Sequence, residues 1–218
     1  MIQLYGHRFA AFVWKPLIAL YERSVPFDFR MVDAGHPDNS AAVMDMAPAG
    51  QFPILVDGDR TVLESSSIVE YLDAAQGSAG PMIPADALKA VEARQMDGLF
   101  DDYIAAPMQI ITGDAARDAA QRDAHGVAQA RAKLDKAYRW FDQWMAERDW
   151  AAAGRFTLAD CAAAPALFYA DWAHPIADDC TALRDYRARL LARPSVARVV
   201  DEARPFRHLF PLGAPDRD

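Results

Sequence analysis

Between Ala49 and Leu72 the chain reads AGQFPILVDGDRTVLESSSIVEYL, and this run constrains the fold more than any other. Phe52, Ile54 and Val56 supply an apolar strand, Asp57-Gly58-Asp59 a tight turn, and Thr61 to Leu63 a returning strand, so a hairpin is predicted. Pro53 stands at the start of the first strand, where a missing N–H is tolerated and an X-Pro bond can be cis. After the second strand, Glu64-Ser65-Ser66-Ser67 precedes the apolar spacing Ile68, Val69, Tyr71, Leu72, which predicts a helix opening near Ser65 or Ser66. The free N–H groups and positive dipole end of such a helix attract a carboxylate. An ordinary N-cap at Ser65 beside a solvated Glu64 fits the same letters.

The remaining chain is compatible with a small-ligand receptor. Its 218 residues suffice for one large domain or two small ones with a proper core. A net charge of −8, with no Lys/Arg cluster, disfavours nucleic acid as a partner. Met1 leads straight into IQLYG without a secretory pattern, and no apolar run approaches the length that spans a bilayer, so no membrane association is expected. Cys161 and Cys180 lie outside metal-ligand and Cys-x-x-Cys spacings, which predicts reduced, unlinked thiols, no metal, and a cytoplasmic location.

Along residues 1–76, strand-like runs alternate with helical ones. Ile2 to Tyr5 is followed by a helix through Leu17 to Tyr21, then Phe27 to Val32, then a loop with a short helix, then the hairpin and its helix. This βαβαββα order predicts a small sheet with helices on its faces. Residues 77–85 read as a linker by their Gly, Ser and Pro content, and residues 86–218 read as all-helical. Leu134, Tyr138, Phe141 and Met145 follow the spacing of one buried helix face. Thr157 and Asp160, three apart before the apolar run CAAAPALFYADW, form a capping box in which Asp replaces the usual Glu or Gln, a structural feature worth about 1 kcal/mol.

Three motifs in this order resemble the cytosolic glutathione transferase family over nearly the whole chain. QFPILVDGD…LESSSIVEYL is similar to the family's strand, cis-proline and Glu-Ser pocket. The opening LYGHRFAAFVWKPLIALYE resembles the first strand and helix of phi-type and several bacterial members, and FTLADCAAAPAL resembles the capping box of the helical domain. The resemblance implies an α/β thioredoxin-like N-terminal domain, an all-α C-terminal domain, glutathione as co-substrate, and a homodimer. It implies that Glu64 and Ser65 grip the γ-glutamyl end, Glu64 by pairing with the ammonium. It further implies that the Phe52 backbone before Pro53 holds the cysteinyl part as an extra strand would, and that Gln51 reaches the ligand's main chain. Phe52 stands where the family usually has Val or Ile.

In this family the nucleophile is the glutathione sulfur, and the protein's task is to ionise a thiol with an ordinary pKa near 8.5. Gapless alignment of Gly6 to Glu22 puts Ala10 at the position of the phi-type serine, with Ala11 and Phe12 beside it. A hydrogen bond to a charged group is worth about 1.5–3 kcal/mol, or roughly one to two pKa units on the thiol. Tyr5, His7 and Arg8 are the substitutes nearest the missing hydroxyl, Arg8 as a permanent cation. With no Cys near the first helix, the family's cysteine-dependent mixed-disulfide chemistry is not expected.

The resemblance places the second substrate against the long helix over 86–112. Phe9, Phe12, Tyr103, Met108 and Ile111, with Phe206 or Phe210 from the tail, are the candidates for an apolar pocket suited to small hydrophobic electrophiles. Asp97 and Asp101 share a helix face and are candidates for reaching the partner subunit's glutathione ammonium. The expected activity is addition of the glutathione thiolate to an electrophile, or peroxide reduction with it. The alternatives are a non-catalytic glutathione-binding or regulatory protein of the same fold, and a glutathione-dependent isomerase or dehalogenase.

Overall fold

A computed structural model describes residues 1–76 and 80–218; of the expected linker, residues 77–79 lie outside the described residues. The first part of the chain contains β1 (Ile2–Gly6), α1 (Ala11–Glu22), β2 (Phe27–Met31), α2 (Pro37–Met46), β3 (Ile54–Asp57), β4 (Arg60–Leu63) and α3 (Ser65–Ala75). This is the βαβαββα order read from the sequence. The strands lie in the order β2-β1-β3-β4, with β1 parallel to β2 and antiparallel to β3, and β3 antiparallel to β4.

Side-chain alternation divides the sheet between two cores. Ile2, Leu4 and Leu55 face the main core with Trp14, Leu17 and Ile18 of α1 and Ile68, Val69 and Leu72 of α3. Ile54 faces the other way, onto Val43 of α2 and Ala47, with Tyr5, Val56 and Leu63 packed around them. A Cβ on Gly6 would lie 2.6 Å from Val13 Cγ2, so only glycine lets the end of β1 pass this close to α1. The Phe52–Pro53 peptide is cis.

The second part is helical: α4 (Ala87–Phe100), a π-type turn over Asp101–Ala105, α5 (Ala106–Ala115), α6 (Ala124–Met145), α7 (Leu158–Ala173), α8 (Thr181–Leu191) and α9 (Pro194–Ala203). The long helix expected over 86–112 is present as a continuous helical run from α4 to α5 with one π-helical turn inside it, a feature frequent at functional sites. Every residue of α7 is buried, as its near-continuous apolar sequence requires. It packs against α1 and α4, so one core runs through both halves of the molecule. Leu134, Tyr138, Phe141 and Met145 form the buried face of α6. Asp160, fully buried, accepts from Thr157 N at 2.8 Å, Ala151 N at 3.0 Å and the Tyr186 hydroxyl at 2.6 Å. Desolvation pushes its pKa up to about 6, against the pull of these donors.

Candidate functional site

A cavity of about 290 Å³ opens where the Phe52–Pro53 bend meets the N-terminal ends of α1 and α3. Gln51, Phe52, Pro53, Glu64 and Ser65 all line it, so the hairpin run read from the sequence does converge on one hollow. β3 begins only at Ile54, which leaves the backbone of Phe52 outside the sheet ladder and open to an extended ligand. Glu64 turns the chain from β4 into α3 with φ +67°, a left-handed conformation that costs a non-glycine residue about 1–3 kcal/mol. That turn puts Ser65, buried at 6 % exposure, in the first position of α3. The first-turn N–H groups of the helix have no partners within it and face the same end as the cavity.

The cavity has two further polar walls, Ser66 and Asp101. Both belong to a buried network centred on Lys15 of α1, whose side chain is 1 % exposed. The ammonium donates to Ser66 Oγ at 2.9 Å and Asp101 Oδ2 at 2.6 Å, and pairs with Asp97 Oδ1 at 2.7 Å. Ser66 in turn donates to Asp97 Oδ2 at 2.7 Å. The ammonium thus makes two hydrogen bonds, and Asp97 Oδ1 is held by charge pairing alone, without a hydrogen bond. Two carboxylates share one cation, and desolvation, only partly offset by Lys15, raises the Asp101 pKa to about 6.

The β1–α1 loop is built differently. Neither Tyr5, His7 nor Arg8 lines the cavity. The Tyr5 hydroxyl donates to Gln3 Oε1 at 3.3 Å on the α2 face of the sheet. His7 Nδ1 accepts from Phe9 N at 3.1 Å, its ring stands edge-on to Phe206 at 4.8 Å, and burial pushes its pKa down despite Asp33. Arg8 pairs with Glu202 and lies 4.2 Å over the Phe29 ring. The cation expected near the sulfur is therefore turned toward α9, where a carboxylate and an aromatic face hold it. Ala10 precedes α1 as its cap without a side-chain hydrogen bond. Trp14 Nε1 and the Tyr169 hydroxyl hold the carbonyls of Arg8 and Phe9 at 2.8 and 2.9 Å, fixing the loop from behind.

The five apolar residues expected around a second substrate are not brought together; only Phe12 lines the cavity. Phe9 packs edge-on to Tyr169 at 5.2 Å, while Met108 and Ile111 are core residues of α5 at 4 % and 2 % exposure. Tyr103 faces a separate apolar hollow between α4 and α6, with Leu99, Ala137 and Trp140. Phe210 is buried against Trp172 at 5.3 Å. Helical spacing shows that such residues share a face, but not which element covers it. Asp97 is buried by Lys15 and Ser66 of its own chain, which leaves Asp101 as the carboxylate that reaches the cavity.

Sequence reasoning missed Lys15, Ser66 and the wall from Ala47 to Ala49. Lys15 did leave a signal: it is the one charge inside the apolar run FVWKPLIAL, and a lysine there needs buried partners. No cluster of three or more His, Cys, Asp or Glu among the described residues is placed to hold a metal ion. No described helix is long and apolar enough to cross a membrane.

A mixed four-stranded sheet entered through a cis-proline bend, with a Glu-Ser helix opening and an all-helical second half, defines a thioredoxin-like protein with a helical extension. Residues 4–80 match the N-terminal domain model of the glutathione S-transferases and residues 99–194 match their C-terminal domain model. This chain belongs to the glutathione transferase family. It is 27% identical over 173 residues to glutathione S-transferase GstB of Escherichia coli, covering 77% of this chain and 82% of that one. It is 34% identical over 103 residues to glutathione S-transferase U17 of Arabidopsis thaliana, an alignment that spans 46% of this chain and 44% of the plant protein. A stringent starvation protein A homolog of Coxiella burnetii is 29% identical over 151 residues, 69% of this chain and 67% of that one. Among solved structures, a Methylobacterium radiotolerans glutathione S-transferase in complex with glutathione sulfonate superposes with a TM-score of 0.78 at 28% identity, covering 91% and 94% of the two chains.

Proposed function

We propose that this protein binds glutathione in the cavity at the start of α3 and adds its thiolate to small hydrophobic electrophiles, or reduces organic peroxides with it. The observation that carries this reading is the convergence of the Glu64–Ser65 helix opening and the free Phe52 backbone on one cavity. In it, Ser65 and the α3 N–H groups take the γ-glutamyl carboxylate, and the Phe52 backbone takes the cysteinyl segment. The sulfur then points toward the N-terminus of α1, whose unpartnered N–H groups and dipole favour the thiolate. Phe12 supplies an apolar wall for the electrophile.

None of Tyr5, His7 and Arg8 lines the cavity, so α1 is the main source of thiol activation in this reading, and turnover is slow. A second reading rests on that same observation together with the stringent starvation protein homolog among the relatives. It is a glutathione-binding protein without transferase activity. A cytoplasmic location, where glutathione is plentiful, agrees with the free, buried Cys161 and Cys180. A homodimer agrees with the exposed rings of Tyr103 and Trp140 in the apolar hollow between α4 and α6, and sedimentation tests it. Glutathione titration followed by conjugation assays on activated aryl halides and a peroxide assay separates the two readings. Saturable binding with turnover supports the transferase, and tight binding with none across the panel leaves the binding protein.

A further inference from the structure

Glutathione brings two carboxylates to the cavity, and the site answers only one of them. The start of α3 offers Ser65 and unpartnered N–H groups to the γ-glutamyl carboxylate. The other, at the glycyl end, meets no cation: among the described residues no Lys, Arg or His lines the cavity, and its two charged side chains, Glu64 and Asp101, are acidic. With the γ-glutamyl end at α3 and the cysteinyl segment along the Phe52 backbone, the wall left for the third residue is Ala47, Pro48, Ala49 and Gln51. The Ala47 N–H donates to Val43 O at 3.0 Å, Pro48 has no N–H, and the Ala49 N–H and the Gln51 amide are neutral donors. α2, which runs into this wall, carries Asp38 and Asp45 and neither Lys nor Arg.

The cations of this part of the chain are committed elsewhere. Residues 1–76 hold seven Lys, Arg and His side chains. Lys15 is paired with Asp97 and Asp101, and Arg8 is turned toward Glu202. Arg23 and Arg30 pair with Asp73 and Asp28, and His36 Nδ1 sits 2.7 Å from Asp33 Oδ1. His7 stands edge-on to Phe206, and burial pushes its pKa below the ordinary histidine value, so it is uncharged near neutral pH. Arg60 opens β4 at the turn end of the hairpin, opposite Asp57, whereas the cavity lies at the other end, at Leu63 and Glu64. Freeing Lys15 or Arg23, both buried, would strand a carboxylate without its counter-charge.

We infer that this site selects the γ-glutamylcysteinyl part of its ligand and not the C-terminal carboxylate, so that its ligand class is γ-glutamylcysteinyl thiols whose far end is neutral or carries an amine. This deepens the glutathione reading and rests on it. A glycyl carboxylate at a wall without a cation gains no charge-assisted hydrogen bond from it, and stands in the field of Glu64 and Asp101. At about 10 Å in a water-like medium, each such pair of like charges costs about twofold in affinity. Converting the carboxylate into an amide removes that repulsion and leaves every γ-glutamyl and cysteinyl contact in place. An amine extension turns the repulsion into attraction. A site that gripped the carboxylate with a cation would instead lose about tenfold or more on the same change.

The test is titration calorimetry of the wild-type protein with three ligands: glutathione, its glycyl amide, which keeps the shape and loses only the charge, and its 3-aminopropyl amide. The amide is expected to bind within about twofold of glutathione or more tightly, and the aminopropyl amide more tightly still, by about two- to fourfold over glutathione. That last gain should shrink as salt is raised. Gln51→Lys places the missing cation at the glycyl wall, on an exposed residue. It should bind glutathione about tenfold more tightly than the amide, reversing the wild-type order. A Gln51→Lys protein that folds and shows no reversal would put the glycyl end away from this wall and overturn the inference. Should the variant not fold, the wild-type comparison decides by itself. Wild-type binding of the amide that is weaker than that of glutathione by more than about twofold means that a cation does grip the carboxylate, and overturns the inference while the glutathione reading stands. No binding of any of the three ligands overturns the glutathione reading with it.

Discussion

The start of α3 and the start of α1 face the same cavity, yet they are built to different standards. At α3, a left-handed Glu64, a buried Ser65 and a Ser66 locked to Lys15 and Asp97 present hydroxyls and N–H groups from a fixed frame. At α1, the cap is Ala10, and the polar side chains before it are engaged elsewhere, Arg8 with Glu202 and His7 with Phe9 N. In the proposed reading, recognition of the peptide falls to the α3 opening and activation of its thiol to the α1 opening, which offers backbone groups alone.

That contrast can be broken at either end. The largest effect belongs to Ser65→Trp, which fills the cavity at its anion-binding end; glutathione affinity should fall by more than about a hundredfold, measured by calorimetry, since both the hydrogen bonds and the space are lost. Next comes Ala10→Ser, which returns a hydroxyl to the α1 cap. It should lower the pKa of bound glutathione by roughly one to two units, followed as thiolate absorbance against pH, with little change in affinity. An unchanged thiol pKa would show that another group already does this work. Arg8→Ala comes last: affinity and bound-thiol pKa should stay within about twofold of wild type. The variant loses about 1 kcal/mol of stability from the Glu202 pair and the Phe29 contact, read by urea unfolding. A large rise in thiol pKa instead would place Arg8 in the chemistry.

The same division governs what could be read from the letters. The hairpin, the Glu64–Ser65 opening and the cis-compatible Phe52–Pro53 step are local, encoded by turn residues and strand alternation within a few positions. The capping box at Thr157 and Asp160 is local as well, although its third support, the Tyr186 hydroxyl, comes from 26 residues away. Lys15 is not local. Its partners lie on α3, on α4 and in the π-type turn that follows it, 51 and 86 residues on for Ser66 and Asp101, and only packing brings them together. The apolar candidates Met108, Ile111 and Tyr103 lie away from the cavity for a related reason. Their helical spacing is real, but the π-helical turn at Asp101–Ala105 shifts the phase of the helix, and which face meets solvent depends on α6 and α7.

The central claim is that the α3 opening is a glutathione receptor, and the most direct test is calorimetric titration of glutathione into the wild-type protein and Ser65→Ala near neutral pH. Wild type should bind one glutathione per chain. Ser65→Ala, lacking one hydrogen bond to a carboxylate, should bind about tenfold more weakly. Equal affinity in the two proteins, or no binding by the wild type, would contradict the account.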